Sequence, residues 1–151
     1  MPRTNPLDRP IAQQRRGARI ILKRLTGLYP EISTALTYRD PWQLLVATVL
    51  SAQTTDENVN RATPGLFRRY PNPPALAQAD SAEVEEIIFS TGFYRQKTRS
   101  IIELSRDLIE QCDGVVPASI EELVKLRGVG RKTASVVLAE AFGQPAIAVD
   151  T

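Results

Sequence analysis

The stretch with the clearest chemical content is Leu126-Arg127-Gly128-Val129-Gly130-Arg131-Lys132-Thr133-Ala134. Two glycines frame one small apolar residue between two helical patterns. Gly128 and Gly130 admit backbone angles that other residues resist, and neither puts a side chain in the way of an approaching ligand. Such a bend points successive N–H groups out of a helix N-terminus, an arrangement suited to binding phosphate. Val129 is expected to pack inward and anchor the bend. A tight connector between two helices is the plain alternative, and a glycine pair alone usually means that. Arg131 and Lys132 tell against it. Cations at the positive end of a helix dipole are electrostatically disfavoured, so their presence suggests an anionic ligand.

The rest of the composition narrows the chemistry by exclusion. The 151 residues contain no histidine and one cysteine, Cys112. Ser–His–Asp and Cys–His catalysis and histidine-ligated metal sites are therefore excluded, as is an internal disulfide. A chain 42% hydrophobic and 24% charged has the composition of a globular domain. No run approaches the roughly 18 apolar residues of a membrane span, and no signal-peptide core follows the basic N-terminus. The chain reads as cytoplasmic, without a membrane partner. Residues 1–24 carry seven basic side chains against Asp8 alone, a net +6, leaving 12 basic against 16 acidic, or −4, for the remainder. A basic arm on a mildly acidic body could follow a phosphate backbone, but charge alone favours a solubilising terminus.

The elements that must position the glycine bend are helical almost throughout. Pro2, Pro6 and Pro10 mark residues 1–14 as a flexible basic arm. A helix of about four turns follows in the segment 15–33, with Ala18, Ile21, Leu22, Leu25 and Leu28 on one face, ended by Tyr29-Pro30. Asp40 and Pro41 open a second helix, so apolar over Trp42–Ala52 that it must be buried. Thr55 caps a third from Asp56, which Pro64-Gly65 should break or kink. Ser81 opens a short helix, and a longer one runs from about Arg95 to Cys112 with Ile101, Ile102, Leu104, Leu108 and Ile109 inward. Ser119 and Glu122 form a capping box, and a last helix covers roughly Arg131–Phe142, to the Gly143-Gln144-Pro145 break. Residues 145–151 are apolar and extended. An all-α fold of seven to nine helices follows, with a main helical domain over 34–144. An apolar stretch at the end, without a polar tail, suggests a protein that continues beyond Thr151.

The nine-residue stretch resembles the helix–hairpin–helix of the DNA glycosylase superfamily. Leu50-Ser51-Ala52-Gln53-Thr54-Thr55-Asp56 with Val59-Asn60 resembles the corresponding helix junction of the endonuclease III family, as do Thr91-Gly92-Phe93-Tyr94 with Lys97 and Ile147-Ala148-Val149-Asp150-Thr151. The matches fall in the same order over residues 35–151. The resemblance implies a helical bundle of the helix–hairpin–helix glycosylase type, with the hairpin over about 119–142. It implies removal of oxidised pyrimidines from duplex DNA followed by strand cleavage. The expected partner is double-stranded DNA carrying a damaged base or abasic site, bound by a monomer associated with the nucleoid.

Residue by residue, the resemblance makes Lys132 the nucleophile of a bifunctional glycosylase/lyase. An amine attacks a sugar carbon only when neutral. A helix N-terminus, Arg131 and partial burial would all oppose the ammonium form. Asp150, eighteen positions on, matches the family's essential carboxylate, expected to stabilise positive charge at C1′ and assist proton transfer. Gln53 matches the polar side chain that enters the vacated base stack, and Phe93 the apolar wedge. A capping glutamine and a core phenylalanine are the competing readings. Gly128, Val129, Gly130, Arg131 and Thr133 would hold DNA through the hairpin. Asp56 either lines the base pocket or caps its helix. Arg95, Lys97 and Arg99 form a basic cluster that either holds phosphates or makes surface salt bridges. Arg127 replaces the family's frequent proline, which should loosen the turn.

A full-length member is expected to carry a four-cysteine [4Fe–4S] cluster, for which this chain has no ligands, Cys112 reading as a small core residue. The segment holding that cluster would pack on the N-terminal helix, and without it Leu22, Leu25 and Leu28 are left partly exposed. Two rival activities remain: a monofunctional adenine-type glycosylase, and a helix–hairpin–helix module that binds DNA without chemistry.

Overall fold

A computed structural model describes residues 10–149, and the chain divides into two compact units, residues 1–34 and 35–151. Every regular element among the described residues is helical: eight α-helices and one 3₁₀ turn. None of those helices is long and apolar enough to cross a membrane.

The first unit contains α1, Ile11–Leu28, which takes in residues 11–14 of the segment read as an arm. It ends at Tyr29, whose N–H bonds Leu25 O at 2.8 Å. No residue of α1 is buried, and its apolar stripe stays exposed, with Leu22 at 65% and Leu28 at 72%.

The second unit is built around α2, Pro41–Leu50, capped by the Asp40 carboxylate accepting from Gln43 N at 2.9 Å. Leu44, Leu45, Val46 and Leu50 are fully buried, each contributing about 1.5–3 kcal/mol of hydrophobic stabilisation. Helix α2 packs on α3 (Asp56–Arg69), α6 (Tyr94–Cys112) and α8 (Arg131–Phe142). Between α3 and α6 come α4 (Pro73–Ala77), α5 (Ser81–Ile88) and the 3₁₀ turn Phe89–Thr91. The short α7, Ile120–Leu123, precedes the hairpin.

Three local expectations are corrected. Helix α3 runs through Pro64, because Thr63 and Leu66 on either side are buried and the missing N–H lies on an exposed face. Tertiary packing outweighs the lost bond. Helix α5 opens at Ser81 as expected, with Asp80 as its cap: Oδ1 accepts from Ala82 N at 2.7 Å and Glu83 N at 3.3 Å. Ser119 makes no capping box, since its hydroxyl donates to Glu121 Oε2 at 2.9 Å. Ile109 is 38% exposed rather than inward.

One polar clamp joins α3 to α5. Arg69 donates to Glu83 through Nε and Nη2, and Tyr70 OH donates to the same carboxylate. The Arg69 and Tyr70 bonds hold Glu83 below the usual carboxylate range, while burial and then the Glu83 bond push Tyr70 up to about 12. A depressed carboxyl stabilises the fold above its unfolded pKa, and that contribution is lost as pH falls through the folded value. A raised phenol does the reverse, its contribution being lost as pH climbs from the ordinary value of about 10. Glu83→Gln is expected to flatten the acid limb of a plot of denaturant midpoint against pH. An acid limb identical to that of the wild type would show that the clamp adds nothing to stability.

Candidate functional site

The glycine bend forms the hairpin that its residue types suggest. After α7, Leu126 N bonds Leu123 O at 3.1 Å and Val129 N bonds Leu126 O at 3.2 Å, and Gly130 O then accepts the first bond of α8 from Ala134 N at 2.9 Å. Val129 is 6% exposed and anchors the bend as expected. No side chain caps α8, so its first-turn N–H groups keep their capacity for an anion. Arg131 and Lys132 occupy that first turn, both exposed, and Thr133 is half-buried.

The two glycines have different roles. Gly128 has φ +76°, and a Cβ there would sit 3.3 Å from Ser100 Cβ and 3.7 Å from Val49 Cγ1. Gly130 has φ −88° and ψ 174°, an extended conformation open to any residue, and a Cβ there would meet nothing within 4 Å. The expectation of unusual angles at both is therefore corrected for Gly130, where only open space distinguishes glycine. Arg127 does not loosen the turn either. Its N–H bonds Asp107 Oδ2 at 2.8 Å and its Nε pairs with Glu103 Oε2 at 2.9 Å, fastening the hairpin to α6. A proline could not make the first of these bonds.

A cleft of about 330 Å³ lies where the hairpin approaches the end of α2 and the start of α6, lined by Val49, Ala52, Gln53, Phe93, Gln96, Lys97, Ser100 and Gly128. It gathers four of the residues singled out from the sequence: Gln53, Phe93, Lys97 and Gly128. Both Gln53 (φ 53°) and Phe93 (φ 47°) sit in the left-handed region, which costs a non-glycine residue of order 1–3 kcal/mol and tends to concentrate at functional sites. Phe93 is 64% exposed, so the core-phenylalanine alternative is not what the fold adopts. Gln53 is exposed as well. A cavity of similar size, about 320 Å³ beside Tyr38, Thr63 and Phe67, contains none of the singled-out residues.

Other expected site residues are not brought to the cleft. Asp56 is absent from its lining and does not cap α3, since Thr55 Oγ1 accepts from Asn58 N at 3.3 Å. Lys132 is exposed, so the partial burial expected for it is not present. Asp150 lies outside the described residues. Of the cluster Arg95, Lys97, Arg99, only Lys97 reaches the cleft, and it is 6% exposed; Arg95 stacks over Tyr94 at 5.6 Å and faces Glu85 at 3.8 Å, and Arg99 is exposed. Burial holds the Lys97 amine below the ordinary lysine range.

Sequence reasoning overlooked Val49, Ala52, Gln96 and Ser100 as cleft residues. Gln96 and Ser100 share one face of α6 at i and i+4, while Ala52 lies in the turn after α2, and nothing in these residue types marks them as functional.

An iron–sulfur cluster of the kind typical of endonuclease III needs four thiolates. The chain has only Cys112, half-buried at the end of α6. Among the described residues no three His, Cys, Asp or Glu side chains converge. The residues present do not fit that group.

Comparison with known proteins accords with this geometry. The sequence pattern of the family described as HhH-GPD superfamily base excision DNA repair protein matches residues 46–151. The endonuclease III of Synechocystis sp. is 53% identical over 146 residues, covering 96% of this chain and 67% of that protein. A solved non-covalent endonuclease III–DNA complex aligns with a TM-score of 0.82 at 46% identity, over 90% of this chain and 64% of that one. A trapped endonuclease III–DNA covalent intermediate, an estranged-adenine complex, aligns with the same figures. The chain thus spans about two thirds of the length of these relatives. With the hairpin, the helix order and nearly half of the residues held in common, this chain belongs to the endonuclease III family of the HhH-GPD superfamily.

Proposed function

We propose that the chain is a base-excision glycosylase with abasic-site lyase activity, acting on oxidised pyrimidines in duplex DNA. The observation that carries the reading is the convergence of Gln53, Phe93 and the Gly128 bend on one cleft, with two of the three held in a costly backbone conformation. A base cannot be attacked at its sugar while stacked, so the nucleotide must leave the helix and the gap must be filled. Gln53 and Phe93, exposed and facing the same cleft, are the side chains assigned to that task. The hairpin N–H groups with Arg131 would hold a backbone phosphate.

In this reading the neutral Lys132 amine attacks C1′ and the base departs with the electron pair of the glycosidic bond. Loss of a proton and opening of the sugar ring give a protonated Schiff base. That acidifies the C2′ proton, and its removal expels the 3′ phosphate by breaking the C3′–O bond. Asp150 is assigned the carboxylate that stabilises positive charge at C1′ and takes the amine proton.

One observation favours a second reading, a hairpin module that binds duplex without chemistry: Lys132 is exposed on the first turn of α8, where a cation can meet a phosphate directly. Incubating the chain with a duplex containing an oxidised pyrimidine, in the presence of borohydride, separates the possibilities. The lyase reading predicts a covalent protein–DNA adduct. Base release without an adduct would indicate a monofunctional glycosylase, and binding without base release the non-catalytic module.

A further inference from the structure

The buried ammonium of Lys97 has no place in the chemistry above. Lys97 lies one turn into α6, is 6% exposed, and donates through Nζ to Thr91 O at 2.6 Å. A carbonyl is a neutral acceptor and does not cancel the charge, so burying this cation opposes folding. A methionine of similar length would fill the space without that opposition. Packing alone therefore does not account for a lysine here.

What the bond does is local. Thr91 is itself buried, with its hydroxyl donating to Ile88 O at 2.8 Å. Directly after it the chain takes two successive left-handed steps, Gly92 at φ 68° and Phe93 at φ 47°. Phe93 has no side-chain cap as it enters α6, and the backbone N–H of Lys97 bonds Phe93 O at 3.0 Å. Lys97 thus grips this loop at both ends, with its backbone on Phe93 and its ammonium on Thr91. It also lines the cleft into which Phe93 is set.

We propose that Lys97 is a positioning residue for the Phe93 wedge: its ammonium fixes the Thr91 carbonyl so that the Gly92–Phe93 segment keeps the left-handed conformation needed to enter a base stack. The inference rests on the base-excision reading for the wedge's purpose, but the restraint itself is independent of any activity. Lys97 is distinct from the nucleophile; its amine is engaged by a backbone carbonyl.

The test uses Lys97→Met on two duplexes, one with an oxidised pyrimidine and one with a preformed abasic site. An abasic site has no base to extrude, so the wedge has less to do there. Saturating single-turnover cleavage of the damaged-base duplex is expected to fall about 30-fold, against about threefold for borohydride trapping at the abasic site. An equal fall on both duplexes, or no fall on either, would overturn the assignment. Amide hydrogen exchange without DNA supplies the second measurement. Gly92 and Phe93 should exchange about tenfold faster in Lys97→Met while the amides of α8 keep their rates. Unchanged exchange at those two amides would refute the restraint, whatever the enzyme does with DNA.

Discussion

Lys132→Ala is expected to reduce the borohydride-trapped adduct by on the order of 10⁴-fold or more, as loss of a covalent nucleophile does. The substitution should leave the fold nearly untouched. Lys132 is exposed on the first turn of α8, where exposed substitutions shift stability by about 0.5 kcal/mol or less. A cation at a helix N-terminus is also mildly unfavourable, so the same change has no dipole contribution to lose. Lys132→Arg keeps the charge and the phosphate attraction but cannot become a neutral amine at working pH. It should therefore bind duplex almost as the wild type does and still fail to trap. Denaturant midpoints and duplex affinities measured beside the trapping assay separate lost chemistry from lost binding. An adduct that persists in Lys132→Ala would move the nucleophile elsewhere.

Gly128→Ala should disrupt the hairpin, whereas Gly130→Ala should not. At position 128 the backbone has φ +76° and the added Cβ would stand 3.3 Å from Ser100 Cβ. A left-handed alanine costs roughly 1–2 kcal/mol, and the crowding requires α6 or the hairpin to shift by a few tenths of an ångström. The strain falls on the segment that Arg127 ties to Asp107 and Glu103, so the first-turn amides of α8 would lose their aim. We expect Gly128→Ala to lower stability by about 1–3 kcal/mol and to weaken duplex binding at least tenfold. For Gly130→Ala the backbone angles are ordinary and the space is open, so stability should change by less than about 0.5 kcal/mol. Urea melts of the two variants and a salt titration of their duplex affinity are the measurements. Equal destabilisation by both would mean that the bend does not depend on Gly128.

Much of the fold was legible where the local chemistry was unambiguous. Asp40-Pro41 before an apolar run could only begin a buried helix, and α2 is that helix. The hairpin was legible for the same reason, since Gly-Val-Gly between two helical patterns leaves few other options. Errors arose where a local rule met a tertiary one. Pro64 lacks an N–H, yet the burial of Thr63 and Leu66 carries α3 past it. The candidate site was legible through resemblance more than through physics. Nothing in the types of Gln53 or Phe93 announces a left-handed backbone, which is normally taken by glycine or asparagine. Lys97 stands between Arg95 and Arg99 in the sequence, a spacing that suggests a surface cluster. Only the packing of the loop onto α6 reveals it to be interior.

The left-handed glutamine and phenylalanine have an evolutionary consequence. At each position glycine would relax the backbone, so a laboratory selection rewarding heat tolerance alone should discard both side chains early. A thermal melt of the two glycine variants should therefore lie above that of the parent chain.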